Sequence, residues 1–165
     1  MIFTVYHTPE GQCKTDLSPG EIAAALQDRD GLLWVDLVDE PVISCRGLFR
    51  DTFGFHPLAV DDALEETHVP KVDDWGEYLY LALHAVQFDP EGDAPIDTSE
   101  LDIFVGQNYL VTYHPESIAA VARVRESCQR DVRHLQAGVG RLLYKLTDEL
   151  VADYMPVIEQ IDEAI

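Results

Sequence analysis

Gly31 is followed by Leu32-Leu33-Trp34-Val35-Asp36-Leu37, a run in which apolar residues do not alternate with polar ones. A strand with one face in water alternates, whereas a mostly apolar run suits a strand covered on both faces. The segments on either side carry their own signals. Ile2 to Tyr6 reads as a strand, and Ser18-Pro19-Gly20-Glu21 opens a helix over Ile22 to Gln27, with a serine cap, a proline in the first turn and an acid three residues on. After the apolar run a short helix is predicted from Cys45 to Thr52, ended by Gly54, and another from Pro57 to Glu66, because proline is tolerated where the first N–H of a helix has no partner.

From Val72 onward the pattern becomes strand-like, with strands over Tyr78 to Phe88, Ser99 to Val105 and Tyr109 to His114. An acidic loop, Asp89 to Thr98, separates the first two, and Gly106-Gln107-Asn108 makes a hairpin turn between the last two. A helix from Pro115 to about Leu135 follows. Leu142, Leu143, Leu146, Leu150, Tyr154, Val157, Ile158, Ile161 and Ile165 then recur at three and four residues, the spacing of one helical face. A helix over 139–165 would be roughly 40 Å long. Pro156 should bend it, and the absence of a glycine cap or basic last turn predicts that it continues past Ile165.

Charge narrows the functions open to such a chain. Among 165 residues, 47% are apolar, enough for one packed core, while 31 acids against 11 lysines and arginines give a formal net charge of -20. Nucleic acids and anionic membrane surfaces need a positive face, so neither is an expected partner and cations are the natural ligands. The plainer account is that acidity keeps the protein soluble. Cys13, Cys45 and Cys128 are widely spaced, without a Cys-x-x-Cys pair, which fits a reducing cytosol. No stretch approaches the roughly 20 apolar residues of a membrane helix.

Catalytic signatures are absent: there is no nucleophile elbow, phosphate loop, His-Glu-x-x-His or dinucleotide fingerprint. The six histidines show no spacing that sets two on one helical face. Asp36 and Asp39, at the end of the apolar strand, allow one enzymatic alternative, a magnesium-dependent phosphohydrolase. Their Asp-x-x-Asp spacing is not the usual one for that chemistry. A freestanding acidic interaction module is another alternative.

The strongest local feature is Phe53-Gly54-Phe55-His56-Pro57-Leu58, followed by Asp61-Asp62 and then by Pro70-Lys71-Val72 leading into a tyrosine-rich strand. These segments, with Trp34-Val35-Asp36-Leu37, Asn108-Tyr109-Leu110-Val111-Thr112 and Leu142 to Tyr154, resemble the CorA family of magnesium and cobalt transport proteins over nearly the whole chain. The resemblance implies an α/β fold, a mixed β-sheet flanked by helices on both sides that ends in the start of a long stalk helix. Residues 1–138 would be the cytoplasmic regulatory domain and 139–165 the start of the stalk.

The resemblance further implies a homopentamer at the cytoplasmic face of the cell membrane, with two membrane helices and a Gly-Met-Asn selectivity motif beyond this stretch, and no enzymatic activity. A zinc transporter of the same architecture is the alternative within the family. Regulatory divalent-metal sites in the family lie between neighbouring cytoplasmic domains; the resemblance implies Asp62 as a ligand, Asp61 as the first acid of the same pair and Asp148 as an acid near a second ion, with the partner acid of Asp62 farther along the stalk. The ion expected is Mg2+, with Co2+ or Zn2+ as alternatives. Consecutive residues on a helix point about 100° apart, so Asp61 and Asp62 do not easily grip one ion together. Two carboxylates about 4 Å apart repel by roughly 4 kcal/mol at an effective dielectric of about 20, which a cation between them would relieve. Bound ions are therefore expected to hold neighbouring acidic domains together with the pore closed. The plainer account makes Asp61 and Asp62 the solvated face of a short helix.

Overall fold

The computed structural model describes residues 1–65, 69–88 and 96–163. Its frame is a seven-stranded sheet built from β1 (Ile2–His7), β2 (Cys13–Thr15), β3 (Leu32–Val38), β4 (Lys71–Asp74), β5 (Leu79–Phe88), β6 (Ile96–Val105) and β7 (Tyr109–His114), in the order β2-β1-β3-β7-β6-β5-β4. β3 and β7 run parallel at the centre and all other neighbours are antiparallel, so the sheet is mixed. All seven residues of β3 are buried, as its mostly apolar run predicts.

Among the described residues, seven α-helices cover the two faces: α1 (Pro19–Gln27), α2 (Val42–Gly47), α3 (Pro57–Leu64), α4 (Ala119–Arg130), α5 (Arg133–Gln136), α6 (Val139–Ala152) and α7 (Tyr154–Glu163). Leu33, Val35 and Leu37 of β3 join one core with residues of α1, α2 and α3, and Leu32 and Trp34 join a second core with residues of α4, α5 and α6. The first core is aromatic, with Phe55 stacked on Phe104 at 4.1 Å between ring centroids. The second is aliphatic and includes Leu142, Leu146 and Leu150, so α6 is packed against the sheet.

Several local features follow from named residues. Ser18 and Glu21 form the expected reciprocal cap of α1, Ser18 N–H donating to Glu21 Oε2 at 2.8 Å. α2 starts at Val42, three residues before the predicted Cys45, and passes into a π-helical turn, Leu48–Thr52, that Gly54 ends at φ +69°. The predicted 106–108 turn joins β6 to β7. A Cβ on Gly106 would meet the Tyr109 ring at 2.2 Å, so only glycine fits there. Asn108 Nδ2 ties this turn to the end of α1 by donating to the carbonyls of Leu26 at 3.1 Å and Asp28 at 2.8 Å.

The structure departs from the predicted elements at further places. β2 has no predicted counterpart, and the strand-like pattern that starts at Val72 is a separate strand, β4, before the predicted one over Tyr78 to Phe88. β6 begins at Ile96 and not at Ser99, while the predicted loop residues 89–95 lie outside the described residues. α3 ends at Leu64, and Glu66 lies outside the described residues. The helix predicted over 115–135 is two helices, because Asp131 turns extended (φ -140°) and its carboxylate accepts the Arg133 N–H at 3.0 Å. The single helix predicted over 139–165 is broken at Asp153. Pro156 has no N–H for the carbonyl of Ala152, four residues back, and Arg123 Nη2 donates to the Glu149 carbonyl at 3.3 Å and to Asp153 Oδ1 at 2.7 Å.

Candidate metal site

The His-Pro-Leu segment has a structural explanation. His56 caps α3, its Nδ1 accepting the Leu58 N–H at 3.2 Å, and its ring stacks on Trp75 at 4.4 Å between centroids. The His56 N–H donates to the Tyr78 hydroxyl at 2.9 Å, which pins the start of α3 to the segment leading into β5. Pro57 occupies the first turn, where its missing N–H costs no helical bond. These contacts present Asp61 and Asp62, one turn on, at the edge of the first core.

The two acids point to different partners. Asp61 is paired with Arg46 of α2. Asp62 Oδ2 lies 2.5 Å from Lys71 Nζ on β4, and the same ammonium lies 2.9 Å from Asp73 Oδ2. The Asp62 side chain is 38% exposed, so it is partly open to solvent. Hydrogen bonding to Asp62, more than any other influence, raises the Lys71 ammonium above its ordinary pKa.

Beneath Lys71 lies a buried polar group. Its Nζ stands 5.3 Å from the centroid of the Tyr80 ring, and the Tyr80 hydroxyl donates to Asp102 Oδ1 at 2.6 Å. Asp102 is 1% exposed, and desolvation pushes its carboxyl up to about 8, with the charges of Glu100 and Asp62 acting in the same direction and the Tyr80 bond against it. Desolvation, then Asp102, also raises the Tyr80 phenol well above its usual value. Glu100 faces His84, whose Nε2 is 3.5 Å away. The His84 carbonyl accepts the Tyr154 hydroxyl at 2.6 Å, which joins β5 to the start of α7.

Asp148 lies elsewhere. It is exposed on α6, which packs on the opposite face of the sheet from α3, and it makes no hydrogen bond or ion pair among the described residues. The chain therefore brings Asp61 and Asp62 side by side but does not bring Asp148 to them. No group of three or more histidine, cysteine, aspartate or glutamate residues among the described residues is placed to hold a metal ion. Asp62 fits a hard cation as one partly exposed carboxylate, and magnesium commonly takes one or two carboxylates and keeps its waters.

Asp36 and Asp39 do not form a catalytic pair. Asp36 is 2% exposed, and both of its oxygens are engaged: Oδ1 by Thr112 Oγ1 at 2.7 Å and His114 Nε2 at 3.1 Å, Oδ2 by Arg125 Nη1 at 2.9 Å. Asp39 is exposed, with a left-handed backbone at φ +49°. The sequence reading missed Lys71, Tyr80 and Asp102 as parts of the site. Asp102 carried a signal, since an acid within Leu101-Asp102-Ile103-Phe104-Val105 must be buried and answered.

Residues 29–165 match the family model described as CorA-like Mg2+ transporter protein. The chain is 33% identical over 132 residues to "Putative metal ion transporter YfjQ" of Bacillus subtilis (strain 168), covering 80% of this chain and 40% of that protein. It is 23% identical over 136 residues to the cobalt/magnesium transport protein CorA of Methanocaldococcus jannaschii, covering 81% of this chain and 41% of that protein. The solved soluble domain of that CorA superposes with a TM-score of 0.73 at 20% identity, over 99% of this chain and 61% of that one. The chain thus spans about 40% of the length of these curated relatives.

Proposed function

The chain belongs to the family of CorA-like Mg2+ transporter proteins, and from that premise we propose that it is the metal-sensing cytoplasmic domain of a longer divalent-cation transport protein. No helix among the described residues is long and apolar enough to cross a membrane, so the pore would be formed by other parts of that protein. In this reading residues 1–138 form the regulatory domain, α6 and α7 lead toward the membrane portion, and Mg2+ is the regulatory ion, with Co2+ next.

Asp62 is the ligand this chain would contribute, and the observation that carries the assignment is its partly exposed carboxylate, held by a lysine and not buried among fixed donors. Asp148 supports a site shared between copies: exposed and unpaired among the described residues, it cannot reach Asp62 of its own chain across the sheet but could face a neighbour's. A divalent cation bound there would supply positive charge between acidic domains whose formal charge is -20 each. Asp62 and Asp148 would orient toward that charge, the domains would stay together and the pore would stay closed. With the ion scarce, the acidic faces would repel and separate. Asp61 plays a lesser part, because Arg46, unlike Lys71, has no second carboxylate partner among the described residues to which it could turn.

The test is protease protection of the full-length protein across a MgCl2 titration. Wild type should become protected as Mg2+ rises, and Asp62→Ala should shift the midpoint upward by about ten-fold, the effect of losing roughly 1.4 kcal/mol of binding. An unshifted midpoint in Asp62→Ala removes Asp62 as a ligand.

A further inference from the structure

We propose that Lys71 is a tethered cation that competes with divalent metal for Asp62 and thereby sets the concentration at which the site fills. The proposal rests on the reading of Asp62 as a metal ligand given above. At 2.5 Å from Asp62 Oδ2, the ammonium stands where an ion approaching that oxygen would have to sit. The chain places it there by construction. β4 pairs with β5 so that Lys71 lies opposite Ala82, a buried small residue, and beside the ring of Tyr80, over which the ammonium lies. The charge is thus presented to the C-terminal turn of α3 from a strand fixed in the sheet.

Lys71 can also release Asp62 without losing ionic contact. Asp73 is two residues along the same strand, on the same side of the sheet, and already lies 2.9 Å from Nζ. A lysine shared between two carboxylates exchanges one for the other by rotating a flexible stem. Arg46 is placed differently: among the described residues Asp61 is its one acidic partner, so displacing it would leave a guanidinium unanswered. This difference separates two adjacent acids that look equivalent in sequence. Asp62 is the acid that can be handed to an incoming ion, and Asp61 the acid that fastens α3 to α2.

The competition also favours doubly charged ions. A bound ammonium neutralises one charge, so a monovalent ion gains nothing by replacing it, whereas a divalent ion brings a second charge to bear on both Asp62 and the rest of the acidic surface. Lys71 therefore acts as a threshold and as a filter against monovalent salt.

The experiment uses the full-length protein, with isothermal titration of MgCl2 and the Mg2+ midpoint of protease protection as readouts, at constant ionic strength. Lys71→Gln should lower the midpoint about five-fold, in keeping with a partly exposed ion pair, and Lys71→Arg should stay near wild type. Lys71→Met, which keeps the apolar stem beside Tyr80, should behave as Lys71→Gln and replaces it if that variant does not fold. Lys14→Gln makes the same change in net charge at an exposed, remote position and should leave the midpoint unchanged. In an Asp62→Asn background Lys71→Gln should have no further effect, since the two residues act through one contact. KCl should not reproduce the MgCl2 response in any variant. The proposal is overturned if Lys71→Gln and Lys71→Met leave the midpoint where it was, if Lys14→Gln moves it equally, or if the shift persists in Asp62→Asn. If Asp62→Asn alone changes nothing, the metal assignment fails first. If it weakens binding while the Lys71 variants do not tighten it, only the role of Lys71 falls.

Discussion

Two aspartates interrupt apolar strands of this protein, and each is answered differently. Asp36 is countered by the Arg125 guanidinium and two further polar contacts, with partners 76 to 89 residues away in sequence. Removing a buried acid leaves such partners unanswered, so Asp36→Ala should cost about 3–5 kcal/mol in urea unfolding. Asp102 has a phenol for its direct partner and a carboxyl pushed up to about 8. Folded protein holds that proton up to about pH 8, whereas the unfolded chain releases it near pH 4. The folded state therefore carries the extra proton between those values. Its contribution to stability is complete below about pH 4 and is lost as pH rises to about 8, at up to about 1.4 kcal/mol per pH unit. Asp102→Asn, which keeps the shape without the charge, should flatten that part of the stability curve. Neither environment could be read from the sequence, because an acid in an apolar run announces that it is answered but not by what. Asp36 suits a catalytic reading for that reason, and nothing in Pro70-Lys71-Val72 tells which acid the lysine meets.

Elements were legible in proportion to their length and punctuation. The capped α1, the apolar β3 and the β6–β7 hairpin stand close to where Ser18, the Leu32 to Leu37 run and Gly106 set them. β2 and β4 have three and four residues, too few to show a period, and exist because a neighbouring strand offers an edge. The 3.6-residue pattern continues across 139–163 although the helix does not, since α6 and α7 keep apolar residues at the same spacing on both sides of Asp153. What breaks it is tertiary: Arg123, from a different helix, takes the Glu149 carbonyl, and Pro156 leaves that of Ala152 without an N–H. Pro156→Ala should restore one backbone bond and slow amide hydrogen exchange at 153–157 by about ten-fold, an effect of roughly 1.4 kcal/mol on local opening. Unchanged exchange would assign the break to Arg123.

At the scale of the molecule, both the mixed sheet and the helices on its two faces agree with what the resemblance implied, and the strand order explains where the acids stand. After β3 the chain crosses by α2 and α3 to the far edge, then returns through β4, β5 and β6 to place β7 against β3. Asp62 and Lys71 sit on that crossing, at the margin of the sheet, while Asp148 sits on the other layer. Neither the contact of Asp62 with Lys71 nor the separation of Asp148 from both is visible in linear order. The parallel pairing at the centre has a further consequence during synthesis. Trp34 and Thr112 are hydrogen-bonded at 3.1 Å yet 78 residues apart. Until β7 has left the ribosome, β2, β1 and β3 are a three-stranded ribbon with an apolar open edge at β3, the condition in which nascent chains join the wrong neighbour. The last strand to be made is thus the one that closes the middle of the sheet, and the protein's most hydrophobic strand waits longest for its partner.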